Sequence, residues 1–149
     1  MRIIEDDLSG ASVRALLEEH FAGMLENSPP GTCHYLDFDG LKAPGVTFWS
    51  AWVGDDLAGC GALKQHDGTL GEVKSMRTHR DWLRRGVAGK LLVHIIATAR
   101  QRGLGRLSLE TGTGPAFAAA TALYARHGFS DVGVSPDDEH ERRMVRRAG

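Results

Sequence analysis

A long helix predicted in the middle of the chain opens with the stretch Arg84-Arg85-Gly86-Val87-Ala88-Gly89-Lys90. The small residues let the backbone close around a bulky anion, and the two arginines and the lysine add mobile positive charge. A helix that begins here directs its unpaired N–H groups and the positive end of its dipole at the same point. The stretch therefore predicts a site for phosphate or pyrophosphate.

Length and charge limit the classes of protein to consider. The chain has 149 residues, which predicts a single domain over residues 1–149. The formal net charge is −1, so no global basic field is present to hold nucleic acid. Four arginines near the C-terminus follow an acidic run, and we interpret them as solvated, self-compensating charges: Arg142, Arg143, Arg146 and Arg147.

The expected cellular compartment follows from the targeting segments and cysteine patterns that the sequence lacks. Residues 1–7 do not resemble a signal peptide, and no apolar segment approaches membrane-spanning length. Cys33 and Cys60 lack metal-ligand spacing, so we expect buried thiols in a reducing compartment. The expected location is cytoplasmic, with no membrane partner.

Hydrophobic periodicity predicts the order of helices and strands. Helices are expected from an N-cap at Ser9 to just before Pro29, over 86–102 and over 115–126, with a short helix or loop within 32–45. Strands are expected over 2–5, 46–53, 57–64, 70–78, 106–111, 129–134 and 143–147. In the strand 70–78, alternation places Glu72, Lys74, Met76 and Thr78 on one face and Val73, Ser75 and Arg77 on the other.

Three motifs in this order resemble the GNAT acetyltransferase superfamily. The strand 71–78 leads into Leu83-Arg-Arg-Gly-Val-Ala88, which is similar to the family's acyl-CoA loop. The long helix ends in Gln101-Arg102-Gly103, a common family ending. The stretch Leu123-Tyr124-Ala-Arg-His-Gly128-Phe129 is similar to the family signature Leu-Tyr-x-x-x-Gly-Phe. The resemblance covers nearly the whole chain.

The resemblance implies an α/β fold, with a mixed, mostly antiparallel sheet of six to seven strands. Two central strands would splay apart, and about four helices would flank the sheet. It implies acetyl-CoA as cosubstrate and no metal. The pyrophosphate would bind the backbone of residues 84–90, that is Arg84, Arg85, Gly86, Val87, Ala88, Gly89 and Lys90, and the cofactor arm would run along Met76, Arg77 and Thr78.

Two positions depart from the family pattern. Leu83 stands where Gln or Arg is usual, and Arg84 and Arg85 are expected to supply the donors instead. Phe117 stands where an Asn is often found, seven residues before the signature Tyr, so the resemblance places Phe117 beside the cofactor arm without that polar contact.

The resemblance also suggests two catalytic residues. Glu72 lies fourteen residues before Gly86, where several family members carry a catalytic Glu, and is the candidate base. The alternative is an ordinary strand glutamate paired with Lys74 or a neighbouring strand. Tyr124 is the candidate acid for the leaving thiolate, and the alternative is a core aromatic with a solvated hydroxyl.

Other polar residues are weaker candidates. Glu110 is expected either to line the acceptor site or to serve as a loop or capping carboxylate. His34 and His66 are interpreted as surface histidines, and His79 and Arg80 as loop residues beside the cofactor.

The sequence thus predicts an N-acetyltransferase that moves an acetyl group to the primary amine of a small or amino-acid-like molecule. A protein N-terminus or lysine is the alternative acceptor, and a non-catalytic CoA-binding module is the alternative class. Dimers are common in the family, which leaves a homodimer open.

Overall fold

The computed structural model describes residues 1–26, 38–112, 117–134 and 141–147. Its elements follow the chain in the order β1 (Arg2–Glu5), α1 (Ala11–Glu26), α2 (Phe38–Leu41), β2 (Val46–Val53), β3 (Asp56–Gln65), β4 (Leu70–Thr78), a 3₁₀ turn (Arg80–Trp82), α3 (Val87–Gln101), β5 (Arg106–Gly112), α4 (Ala118–Arg126), β6 (Ser130–Val134) and β7 (Glu141–Arg147). The predicted fold class, a mixed and mostly antiparallel sheet flanked by helices, is confirmed.

The sheet contains a gap between its central strands. Its seven strands lie in the order β1-β2-β3-β4-β5-β7-β6, and every neighbouring pair is antiparallel except β4 and β5. β4 and β5 pair only where Leu70–Glu72 lies beside Arg106–Ser108. Beyond Glu72 and Ser108 the two strands separate, which leaves an open cleft edge along the rest of β4.

Helices cover the two faces of the sheet with separate apolar clusters. α3 packs on β3 and β4, and its buried stripe joins Leu107, Leu109, Tyr124 and Phe129 in the larger cluster. α1 lies on the opposite face, where its apolar residues meet Phe48, Cys60 and Ala62. We call these two sides the α3 face and the α1 face.

The predicted alternation of side chains along β4 is wrong beyond Lys74. Ala62 pairs with Lys74, but Cys60 pairs with Arg77, so β4 has one more residue than β3 between these pairs. Ser75 has a φ of 54° at this bulge. Because a bulge inserts one unpaired residue, it reverses the facing of the residues that follow. Glu72, Lys74 and Arg77 therefore share the α1 face, and Met76 and Thr78 lie on the α3 face with Val73.

Two glycines of β3 allow α3 to approach the sheet closely. A Cβ at Gly59 would lie 2.8 Å from the Arg77 carbonyl oxygen and 2.9 Å from Val87 Cγ1. A Cβ at Gly61 would lie 2.6 Å from the Met76 sulfur. Glycine in a strand often marks such a close approach. Gly59 thus allows the first turn of α3 to approach the sheet, and Gly61 leaves room for Met76 and for Ile95 further along the helix.

Other expectations are corrected or lie outside the described residues. Ser9 does not cap α1, because its hydroxyl donates to Asp7 and the first helical bond runs from Arg14 N–H to the Gly10 carbonyl. Cys60 is a buried thiol as expected, and burial raises its pKa to about 12. Cys33, His34 and Pro115 lie outside the described residues.

The C-terminal arginines are not the solvated tail that the sequence suggested. β7 lies between β5 and β6, so Arg143 and Arg146 belong to an interior strand of the sheet. Arg146 Nε donates to the His127 carbonyl oxygen at 3.1 Å, and Arg143 Nη2 lies 3.7 Å from Glu110. None of the helices described is long and apolar enough to cross a membrane.

Candidate active site

The first turn of α3 presents free backbone donors beside the cleft. Gly86 is the N-cap residue, with a φ of 80° in the left-handed region, and no side chain caps the helix. Lys90 N–H donates to the Gly86 carbonyl oxygen at 3.1 Å, so the N–H groups of Val87, Ala88 and Gly89 precede the first helical bond. Such donors at a helix N-terminus favour an anion.

The cations of this loop are exposed and partly held in place. Arg84, Arg85 and Lys90 are all exposed. The Arg85 guanidinium lies 5.1 Å from the centre of the Trp82 ring, a cation–π contact that fixes its direction. Arg84 adopts a φ of 64°, an uncommon conformation for a residue with a side chain. The Leu83 side chain is exposed and donates nothing, as its departure from the family pattern implied.

Gly89 is less constrained than the sequence suggested. A Cβ there would meet His127 Nε2 at 3.7 Å and Leu123 at 3.9 Å, which are ordinary van der Waals contacts. The requirement for glycine in the loop rests on Gly86, because its positive φ strains any residue with a Cβ.

The three β4 residues expected along the cofactor arm have different surroundings. Met76 packs over Gly61 on the α3 face, and Thr78 pairs with Gly59. Arg77 turns to the α1 face, where its Nη2 lies 3.4 Å from Glu19 Oε1. The side chain of Arg77 is therefore engaged by α1, and its carbonyl oxygen is directed at Gly59 of β3. The backbone groups of Met76 and Thr78 remain for the cleft edge.

Glu72 is held by two cationic or ionisable neighbours on the α1 face. Its Oε1 lies 2.6 Å from His66 Nε2, and its Oε2 accepts from Lys74 Nζ at 3.1 Å. The Glu72 side chain is only 12% exposed. Sequence reasoning treated His66 as a surface residue; the β3–β4 hairpin, in which His66 N–H donates to the Leu70 carbonyl oxygen, brings it to the carboxylate. The short turn between the two strands was the available signal.

Tyr124 lies on α4, within the apolar cluster of the α3 face. Its ring contacts Phe129 edge to face, with centroids 5.9 Å apart. Burial raises the pKa of Tyr124 to about 12, because the phenolate would be poorly solvated. The hydroxyl has no hydrogen-bond partner among the described residues. Glu72 and Tyr124 thus lie on opposite faces, with the separation of β4 and β5 between them.

The other candidate residues are Phe117, His79, Arg80 and Glu110. Phe117 is the N-cap residue of α4 and makes no side-chain capping bond. His79 accepts from the Asp81 N–H at 3.1 Å, and Arg80 is exposed. Glu110 approaches Arg143 across the β5–β7 pair.

The residues present fit an extended pyrophosphate-bearing thioester. Unpaired N–H groups, a left-handed glycine and three cations lie at one end of the cleft. The open edge of β4 runs along it, and a protonated buried phenol lies on its α3 face. This combination defines an acyl-CoA-dependent transferase.

Comparison with known proteins agrees with this class. The model of the acetyltransferase (GNAT) family matches residues 11–129. The chain is 51% identical to the uncharacterized N-acetyltransferase YedL of Escherichia coli K12 over 140 residues, 92% of this chain and 88% of that protein. It is 49% identical to the uncharacterized N-acetyltransferase YsnE of Bacillus subtilis over 143 residues, 92% of this chain and 95% of that one. The chain belongs to the GNAT family and is an N-acetyltransferase.

Solved structures share the fold. A GNAT family acetyltransferase from Elizabethkingia anophelis with acetyl-CoA bound superposes with a TM-score of 0.69 at 15% identity, covering 98% of this chain and 97% of that chain. An aminoglycoside 6′-N-acetyltransferase complexed with coenzyme A superposes with a TM-score of 0.74 at 15% identity, covering 99% and 97%.

Proposed function

We propose that this enzyme transfers the acetyl group of acetyl-CoA directly to the primary amine of a small-molecule acceptor. The observation that carries the proposal is the position of the free N–H groups of α3 beside the cleft between β4 and β5. Membership of the GNAT family supports acetyl-CoA as the donor. Bound acetyl-CoA supplies an activated thioester, and the protein contributes binding, orientation and proton handling.

The loop before α3 binds the pyrophosphate in this proposal. The N–H groups of Val87, Ala88 and Gly89 provide fixed donors, and Arg84, Arg85 and Lys90 add charge. The backbone of Met76 and Thr78 provides amide groups for the cofactor arm, in the manner of a strand added to an open sheet edge. Arg77 lies between them, with its carbonyl oxygen directed at β3. Phe117 contributes apolar contact alone, because its side chain has no polar atom.

Glu72 accepts the proton of the amine, directly or through a water molecule. Its carboxylate is oriented by Lys74 and His66, so it cannot swing away from β4 without losing both contacts. His66 is half-exposed and bonded to Glu72 at 2.6 Å, which gives the proton a route to solvent.

Tyr124 donates a proton to the departing thiolate. With a pKa of about 12 the phenol is protonated at neutral pH, which is the state a proton donor needs. Its place on the opposite face from Glu72 separates the group that removes a proton from the group that returns one.

The test is steady-state thiol release with a panel of primary amines and the variant E72Q. We expect kcat to fall by about 100-fold while the Kd of acetyl-CoA changes by less than about threefold. The matched control is E5Q, because Glu5 lies on edge strand β1, three strands from β4. Unchanged turnover in E72Q would reject Glu72 as the base.

Peptide acceptors belong in the same panel. Turnover of peptide N-termini or lysines in preference to every small amine would assign the alternative acceptor. Failure of all acceptors, with acetyl-CoA still bound, would reject the proposed transfer to a primary amine.

A further inference from the structure

A groove of about 540 Å³ lies along β5, β7 and β6. Ser108 alternates with the core residues Leu107 and Leu109, which places the groove on the α1 face of β5, β7 and β6. Its lining includes Leu70, Arg106, Ser108, Ser130, Arg143 and Arg147. Gly128, Val132 and Val145 complete the lining, so the groove combines apolar walls with three arginines.

The charge in the groove is unbalanced. Among the described residues, three guanidinium groups line the groove and two carboxylates act on them, Glu110 on Arg143 and Asp67 on Arg106. Arg106 and Arg147 are exposed and form no salt bridge in the described part of the chain. Asp67 interacts electrostatically with Arg106, but its Oδ1 already accepts from the N–H groups of Thr69 and Leu70.

Arg143 is the least satisfied of the three arginines. Its Nη2 lies 3.7 Å from Glu110 Oε1, too far for a strong hydrogen bond. Its Nε is shielded from solvent and has no hydrogen-bond partner among the described residues. A buried, unsatisfied donor is costly, so among the described residues this guanidinium is held in place only by the distant Glu110 carboxylate.

The groove is next to the candidate base. Glu72 pairs with Ser108 across β4 and β5, and Ser108 lines the groove. Glu110 lies two residues beyond Ser108 on β5, and Arg143 of β7 pairs with Glu110. Neighbouring strands lie about 4.8 Å apart, so β4 and β7 are separated by roughly 10 Å, and the long arginine side chain shortens the remaining distance.

We propose that this groove, with Arg143 at its centre, binds an oxyanionic group of the acetyl acceptor. The acceptor is then an amine that also carries a carboxylate or a phosphate, with the amine beside Glu72. The Arg143 side chain is 37% exposed, and a guanidinium suits such groups because it can donate two parallel hydrogen bonds. The inference rests on the proposed function, since it names the substrate class of the same site.

The experiment compares matched acceptors that differ only in the anionic group. Thiol release is measured with amino acids, their carboxamides and the corresponding aminophosphonates, with wild type and R143Q. We expect wild type to prefer at least one anionic series over the carboxamides, and R143Q to reduce that preference by 10- to 100-fold, mainly through KM. The series that is preferred identifies the oxyanion as carboxylate or phosphate.

Controls separate this proposal from the proposed function. R100Q removes an exposed arginine of α3 and should keep the wild-type preference. R143K keeps the positive charge but lacks the planar guanidinium, and it should retain part of the preference for anionic acceptors. Calorimetric titration of wild type with N-acetylamino acids and their amides measures binding without turnover. It therefore tests the groove even if R143Q folds poorly.

Three results would overturn the inference while leaving acetyl transfer intact. One is equal turnover of the anionic acceptors and the carboxamides by wild type. Another is an equal loss on both series in R143Q. Binding of neither N-acetylamino acids nor N-acetylaminophosphonates to wild type would also overturn it.

Discussion

At the scale of single residues, Tyr124 combines a polar group with a core position. Its ring packs on Phe129, and its hydroxyl has no partner among the described residues. Because the hydroxyl makes no hydrogen bond within the described residues, it is free to donate its proton to the leaving thiolate.

The variant Y124F tests this role. We expect kcat to fall by about 100-fold with little change in the KM of acetyl-CoA, because only the proton donor is lost. The melting temperature should stay within a few degrees of wild type, since the ring remains. Thiol-release kinetics across pH 6–10 check the prediction; unchanged kcat throughout this range would assign the proton to another donor.

His20 makes folding stability depend on pH. Desolvation by burial, with Arg77 as a second cause, lowers its pKa from 6.5 to about 4. Below pH 6.5 the unfolded chain binds a proton that the folded chain rejects, so stability present above that pH is lost as the pH falls toward 4. The maximum loss is roughly 3 kcal/mol.

The prediction is a selective change in H20Q. Urea unfolding between pH 7 and pH 4 should show a shallower loss of stability in the variant than in wild type, by about 1 kcal/mol or more at pH 4.5. Parallel pH profiles for the two proteins would exclude His20 as the source of this dependence.

At the scale of elements, the sequence predicted most helices and strands because their apolar periodicity is strong. The side-chain facing along β4 was not predictable in the same way. Strict alternation was the only available guide, and the bulge at Ser75 has no signature in residue type. The Glu72–His66 contact was missed for a related reason: it depends on the turn that joins β3 and β4.

The start of α3 offers a controlled comparison of two glycines. Gly86 and Gly103 flank the helix with φ of 80° and 77°, and a Cβ at either meets nothing within 4 Å. Each change to alanine should cost about 1 kcal/mol of stability, because both force a Cβ into the left-handed region.

Only one of the two changes should weaken the binding of acetyl-CoA. We expect G86A to weaken acetyl-CoA binding by about tenfold or more, since relaxation of this residue moves the donors of α3, and G103A to leave the Kd unchanged. Titration calorimetry and thermal melts measure both quantities. Equal affinities in the two variants would show that the loop conformation does not hold the cofactor.

At the scale of the whole molecule, the order of helices and strands along the chain could be predicted. The residues that come together in the groove of β5, β7 and β6 could not. The arginines of β7 were interpreted from their neighbours in sequence, whereas their partners come from β5. The position of Arg143 beside Glu110 is a consequence of strand order, which places the last strand inside the sheet. Composition and spacing carry no information about that order.

The two apolar clusters predict how the molecule unfolds. Ala58 and Leu63 of β3 belong to the cluster of the α3 face, and Leu57, Cys60 and Ala62 belong to that of the α1 face. Because one strand serves both clusters, neither face can unfold without exposing the other. We therefore expect residues 1–149 to behave as one domain, with a single calorimetric transition whose enthalpy is roughly 100 kcal/mol.

Acetyl-CoA extends this prediction to the bound state. At about a hundredfold excess over its Kd the ligand should add roughly 2.7 kcal/mol of stability, which raises the melting temperature by about 5–10 °C. The whole transition should move, because the loop that binds the pyrophosphate starts the helix that packs on β3. Two transitions, of which only one responds to acetyl-CoA, would instead divide the chain into two units and contradict the single domain.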